Sequence, residues 1–499
     1  MWRIKKNDTN DTKEVNILSN YILTFQLDTE KHQEDILNKR LEISRNIYNS
    51  CLGELYKRYN HMRESKEYRK VIKMVKGKDR NKQFNELNKK YGLTEYSLHK
   101  YVKPMQKHFK GNIDSFTSQK IATRCFNAFQ KLMFHQSNRV YFKKHGEMNS
   151  VEGKSNKTGI KFKEDKLIWN GLDINAIIKK NDEYAQIALR DKIKYCRIVR
   201  KFIRGKYKYY IQLVLEGVPP MKVNEETGEI KNSIGIGNVG LDIGTQTIAI
   251  SSKYDVKLLE LCPEINNIEK EKCRLQRKLD RQRRANNLNN YNDNGTVERG
   301  IKLKWHKSNR YINTQNELKE IQRKQADIRK QSHNKLANYI LSLGDNVLVE
   351  TMNYKGLQKR SKKTTINKKG KFNKKKRFGK SLANKAPSMF LTILDNKLKW
   401  NDTQLYKIDT FKVKASQYNH IEDKYIKKKL SERWNNFGDF KIQRDLYSSY
   451  IIQNVIGKKL DKIDRDSMIK DFDKFKEMHD KEIINIRNNG SKLISSMGM

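Results

Sequence analysis

The run VGLDIGTQTIAI, residues 239–250, constrains this chain more than any other stretch. Its valines, leucines and isoleucines describe a buried strand, a glycine turn and a second strand. Asp242 stands in the middle of the first strand. An uncompensated carboxylate in such a place costs several kcal/mol. Asp242 is therefore expected to face something that balances its charge.

Two further acids share that kind of setting. Glu350 ends the apolar run NVLVE, and Asp445 opens the helical stretch RDLYSSYIIQNVI. Taken singly, each has a plain role: Asp242 as a turn or hydrogen-bonded residue, Glu350 as a strand end meeting solvent, Asp445 as a helix N-cap or first-turn acid. Their order along the chain is more informative. A three-stranded meander, a helical segment, two strands and a helix can bring neighbouring strand ends and a helix N-terminus together. Carboxylates grouped so closely repel and take up protons unless a divalent cation supplies the opposing charge. Hard oxygen ligands without neighbouring His or Cys suit Mg²⁺ or Mn²⁺. Two such ions about 4 Å apart activate a water and stabilise the leaving oxygen in phosphodiester hydrolysis.

The overall charge names the class of partner. Lys and Arg number 106 against 57 Asp and Glu, a formal net charge of +49 spread along all 499 residues. Such a surface repels itself unless a polyanion covers it, and nucleic acid is the expected cover. No apolar run approaches the ~20 residues of a membrane span. The opening MWRIKKNDTNDTKEVN has no signal-like apolar core. Cysteines 51, 125, 196, 262 and 273 form no C-x-x-C pair, so they are expected to be reduced thiols of a cytoplasmic protein.

Along the chain, NYILTFQL (20–27) reads as a strand and gives way to basic helices as far as about residue 138. RVYFKK, GIKFKEDKLIW, YCRIVRKFI and KYYIQLVLE then read as strands, with Arg204 and Gly205 at a hairpin turn. Residues 217–238 have the Pro, Gly and Asn content of a linker. A second unit begins at 239. In it, two basic helical segments flank the Asn-rich NNLNNYNDNG as a helical hairpin, and DNVLVETMN and TQLYKIDTF are strands. The Lys-rich 359–380 segment is expected to be a mobile loop, and residues after 458 a charged, loosely packed tail.

Four stretches carry a family resemblance. GLDIGTQTIAI, the basic hairpin with RKQSHNKLANYIL, VLVETMNYKGL and RDLYSSYIIQNV together resemble the split RuvC nuclease domain of TnpB. These are transposon-encoded, RNA-guided relatives of the compact type V CRISPR effectors. The first motif's Asp-x-Gly corresponds to Asp242 and Gly244. The second motif, Glu followed by Asn-x-x-Gly-[Leu/Met], corresponds to Glu350, Asn353, Gly356 and Leu357. The third, Asp-Arg-Asp-x-Asn-Ala-Ala, aligns with Gln443, Arg444, Asp445, Leu446, Tyr447, Ser448 and Ser449, and so departs at its first residue and its last three. The family's Thr-Ser-Gln-x-Cys survives only as Ser416 and Gln417, with Asn419 at the cysteine position. No Cys follows residue 273, so a four-cysteine zinc module has no ligands there.

The resemblance implies a two-lobed chain of α/β and α+β parts. Residues 1–28 and 140–216 would form a wedge β-barrel, interrupted by a helical recognition lobe at 29–139. After the linker at 217–238, residues 239–457 would form an RNase H-like (RuvC) nuclease domain with its helical hairpin at 263–343 and basic loop at 359–380. Residues 458–499 would be the tail. Asp242, Glu350 and Asp445 would be the catalytic acids and the ligands of two Mg²⁺ or Mn²⁺ ions, with no zinc. The implied partners are a guide RNA and target double-stranded DNA; oligomeric state stays open. The activity implied is RNA-guided endonucleolytic cleavage of DNA. A nuclease-silent guided repressor and an RNase H-fold transposase are the alternatives.

Overall fold

The structure, a computed structural model, describes residues 20–488 except 225, 368, 369, 371, 374, 376, 377 and 430, together with 497 and 498. The chain divides into two compact units, Met1–Pro220 and Met221–Met499. The stretch expected as a linker therefore belongs mostly to the second unit, where Gly235 N–H donates to Leu341 O at 2.8 Å.

In the first unit, β1 (Asn20–Leu27) leads into the long helix α1 (Lys31–Glu64), which a capping box of Glu30 and Gln33 starts. The helices α2 (Lys66–Lys73), α3 (Lys78–Lys90), α4 (Glu95–His108) and α5 (Ser115–Met133) follow. After them come β2 (Ser150–Glu152), β3 (Lys161–Lys163), β4 (Lys166–Trp169), β5 (Leu172–Ile177), α6 (Glu183–Ala188), β6 (Ile193–Ile203) and β7 (Lys206–Glu216). The strands make one antiparallel sheet in the order β2-β6-β7-β1-β5-β4-β3. Among the described residues its ladder stays open between β2 and β3, a half-barrel where a barrel was expected. Arg204 (φ 48°) and Gly205 (φ 83°) turn β6 into β7, two left-handed residues in succession as a tight hairpin requires. Arg40 of α1 lies 4.7 Å from the Trp169 ring centroid and donates to Asn170 O, fixing the helix to the sheet.

RVYFKK is not a strand. Its backbone instead bonds side chains of α1: Tyr56 Oη donates to Val140 O at 2.8 Å, and Asn49 Nδ2 to Lys143 O at 2.8 Å. With those partners, no ladder is needed to satisfy its polar groups.

The second unit is built on a five-stranded sheet. Its strands β8 (Asn238–Ile243), β9 (Thr247–Ser252) and β10 (Val256–Glu260) form an antiparallel meander. The hairpin α7 (Ile265–Ala285) and α8 (Asn309–Leu343) leads to β11 (Asn346–Glu350), which lies parallel to β8. After α9 (Tyr354–Leu357), α10 (Gly379–Lys385) and α11 (Pro387–Lys399), β12 (Tyr406–Ile408) adds parallel to β11. The order is β10-β9-β8-β11-β12. One face carries Leu241, Ile243, Ile248, Val347 and Val349 against α8 and α11. The other carries Ala249, Leu348 and Ile408 against the helices that follow.

Those come after α12 (Thr410–Val413) and two small hairpins, β13 (Tyr418–Asn419) with β14 (Lys424–Tyr425), and β15 (Trp434–Asn436) with β16 (Lys441–Gln443). Then α13 (Arg444–Gln453), the pair β17 (Val455–Ile456) and β18 (Lys462–Ile463), and α14 (Arg465–Asn488) complete the unit. The helix α14 corrects the expectation of a loose tail. Met468, Phe475 and Ile483, seven and eight residues apart, place one apolar stripe of an otherwise charged helix in the core. The Lys-rich segment 359–380 lies partly outside the described residues.

Candidate functional site

Three elements aim three carboxylates at one place. Asp242 and Gly240, two apart on β8, share the sheet face that α13 covers. Gly240 pairs with Leu348 and Leu241 with Val349 in the parallel ladder, so its next step sets Glu350 alongside Asp242 on that face. On the opposite side of Asp242 the ladder partner is Ala249.

Gly240 makes room for the third acid. A Cβ there would collide with the backbone of Ser449 and Gln453, so α13 rests directly on β8. Asp445 lies one helical turn before Ser449, and the helix carries it forward over the end of β8. Gln443 starts α13: its side-chain oxygen accepts from Leu446 N–H at 2.8 Å, its Nε2 donates to Met497 O, and its own N–H donates to His479 Nε2 at 3.0 Å. Where the resembling family has aspartate, this chain thus has a buried neutral cap.

The electrostatics record the convergence. Burial pushes the Asp242 carboxyl well above its ordinary value, the charges of Asp445 and Glu350 push it further, and Arg444 and Arg433 oppose the rise. Burial also raises Glu350. All three acids stay half-buried, open to water on one side. Asp445 has two cations close by, Arg444 at 3.5 Å and Arg433 at 3.7 Å. Among the described residues, no group of three or more His, Cys, Asp and Glu is arranged as a ready metal cage. The donor chemistry, carboxylate oxygens from three elements, is nevertheless of the kind a hard divalent cation takes.

The second motif explains itself as a turn. Asn353 caps α9 by accepting from Gly356 N–H at 2.8 Å. That turn places Tyr354 where the Asp242 charge reaches it; burial first, and then Asp242, raise the Tyr354 hydroxyl, which is buried without a hydrogen-bond partner among the described residues. A cleft of about 640 Å³ opens beside Glu350, with Lys399, Lys407, Lys458 and Lys459 on its walls. Sequence reasoning singled out none of Tyr354, Arg433, Arg444 or these lysines for the site. Only Arg444, next to Asp445, carried a signal.

The remaining departures have structural reasons. Tyr447, at the family's Asn position, points into the core and meets His420 Nδ1 at 2.7 Å while accepting from His420 N–H at 3.1 Å. Asn419, at the cysteine position, accepts from Ile421 N–H at 3.0 Å. The hairpin β13–β14 is closed by Tyr418 donating to Asp423 at 2.7 Å and by the Tyr418 and Tyr425 rings, 5.1 Å apart.

No protein-family model matches the sequence, and no curated protein does. Among solved structures, the chain is similar to a Cas12f1–sgRNA–target DNA complex determined by cryo-EM. The two share 10% identity at a TM-score of 0.40, over 87% of this chain and 98% of that one. A CRISPR–Cas12f ternary complex shares 12% identity at a TM-score of 0.25, over 86% of this chain and 83% of that one. Identity and TM-scores of this size establish neither family nor activity. No helix among the described residues is long and apolar enough to cross a membrane.

Proposed function

We propose that this chain is an RNA-guided DNA endonuclease of the RuvC type. One observation carries the reading: the parallel ladder of β8 and β11 sets Glu350 beside Asp242, and the seating of α13 on Gly240 brings Asp445, far off in sequence, to the same junction. A meander followed by two parallel strands and a covering helix is the arrangement the TnpB resemblance implies, and it supports an RNase H-like reading of the second unit. The +49 charge supports a nucleic-acid partner, with a guide RNA as its standing cover.

In this reading the three carboxylates hold divalent ions, Mg²⁺ or Mn²⁺, which when bound supply an activated water and charge stabilisation for phosphodiester hydrolysis. The chain's own part is positional. The parallel ladder fixes Glu350 beside Asp242, and the contact of α13 on Gly240 fixes Asp445 over both. The half-buried setting leaves one side open to a phosphodiester. The lysines of the cleft beside Glu350 can hold the flanking phosphates of a strand, positioning it without reading sequence.

A second reading, a guided DNA-binding protein without nuclease activity, is favoured by one feature. Arg433 and Arg444 stand against Asp445 and compensate it without a metal. Cleavage separates the two. Protein purified with its RNA, given Mg²⁺ and a plasmid matching that RNA, is expected to cut it and leave 5′-phosphate ends. Binding without cutting would select the second reading.

A further inference from the structure

The first unit holds a hollow that the proposed chemistry does not use. It has a volume of about 630 Å³ and lies among α1, α2, α3 and the end of α5. Aromatic rings form its walls: Tyr68 and Phe84 stand 5.9 Å apart at 64°, and Phe134, 60% exposed, borders the opening. Asn81, Asn85 and Asn88, spaced four and three residues apart on α3, turn one row of amides toward the same space. Arg80 lies 5.4 Å from the Phe84 ring centroid, and its Nε is buried with no hydrogen-bond partner among the described residues.

Rings for stacking, amides for hydrogen-bonding edges and a cation beside them are what an unstacked base with its phosphate requires. The surroundings favour a polyanion over an acidic or apolar peptide segment of low charge, for residues 66–90 carry ten Lys and Arg against three acids. We infer that this hollow binds a nucleobase extruded from single-stranded RNA, with Phe84 stacking on it, Tyr68 meeting its edge beside the α3 amides, and Lys76 and Arg80 meeting its phosphate. This rests on the reading of the chain as an RNA-binding protein and adds to it a site in the first unit.

The test uses full-length protein stripped of nucleic acid at high salt. Its probes are a 12-nucleotide oligouridylate and the same oligomer with abasic ribose at its central positions. Wild type is expected to bind the intact oligomer more tightly than the abasic one, by at least about fivefold. Phe84→Ala and the more exposed Phe134→Ala should each weaken binding of the intact oligomer while leaving the abasic one unchanged. Phe84→Leu, which keeps the apolar packing, guards against misfolding and should lose the same preference. Variants that discriminate against the abasic oligomer as wild type does would overturn the inference while leaving RNA binding intact. Wild type that binds neither oligomer would instead overturn the RNA-binding reading itself, and the site with it.

Discussion

Asp242 is the residue at which chemistry and stability oppose each other. Its folded-state pKa lies above its unfolded value, so the folded chain binds the extra proton. Its contribution is therefore greatest in acid and is lost as pH rises through the window from the ordinary carboxylate range up to the folded value. Asp242→Asn is expected to raise the melting temperature at neutral pH in EDTA and to abolish cleavage. Mg²⁺ should raise the melting temperature of wild type by more than that of the variant; calorimetry in the two buffers checks both. His333 and His420 run the other way. Burial, joined by Arg465 at His420, lowers each to about 4. Below the ordinary histidine value the unfolded chain binds more protons, so stability is lost as pH falls from about 6.5 toward 4, by up to about 3 kcal/mol for each ring. His420→Gln should flatten part of that acid limb in urea titrations at stepped pH. The three acids could be picked out from sequence because a charged residue inside or at the end of an apolar run is conspicuous. Tyr354 and Arg433 could not, because ordinary tyrosines and arginines gain their place only when β11 and the small hairpins fold against α13.

At the scale of elements, the site depends on one close approach. With Gly240→Ala the new methyl group would meet the backbone of α13, which cannot yield as a flexible side chain could. The helix must move or tilt, at a cost of about 1–3 kcal/mol. Because Asp445 rides on that helix, cleavage should fall much further than stability, and comparing activity with denaturant midpoints distinguishes the two. The strands β1, β6 and β7 and the hairpin α7–α8 were readable, since their alternation or helical period runs over many residues. The helix α14 was not. Its three buried apolar residues are diluted by lysines and aspartates, and its packing partner Tyr450, whose ring stacks 4.1 Å from that of Phe475, lies on α13. RVYFKK misled in the opposite sense: its composition suits a strand, but α1 side chains take its backbone groups.

For the molecule as a whole, charge is the dominant fact. With +49 over 499 residues, RNA binding should weaken steeply with salt, the logarithm of affinity falling by about 0.7 per contacted phosphate of a single strand for each unit of log salt. Filter binding between 50 and 400 mM KCl reads the slope, and a flat line would remove electrostatics as the source of affinity. The division into two units was visible as a change of texture near residue 217, although the boundary at Pro220 gives most of the expected linker to the second unit. That the three acids could meet was legible in the order of the elements only as a possibility, because long-range topology decides it; the family resemblance added weight to that order.

Mn²⁺ binding, followed by electron paramagnetic resonance, bears most directly on the proposal that Asp242, Glu350 and Asp445 hold metal together. Wild type should bind two ions per chain, and Asp242→Asn, Glu350→Gln and Asp445→Asn should each lose at least one while the far-ultraviolet circular dichroism stays unchanged. If any one of the three variants binds Mn²⁺ with the stoichiometry and affinity of wild type, that residue is not part of the pocket and the hydrolytic reading fails.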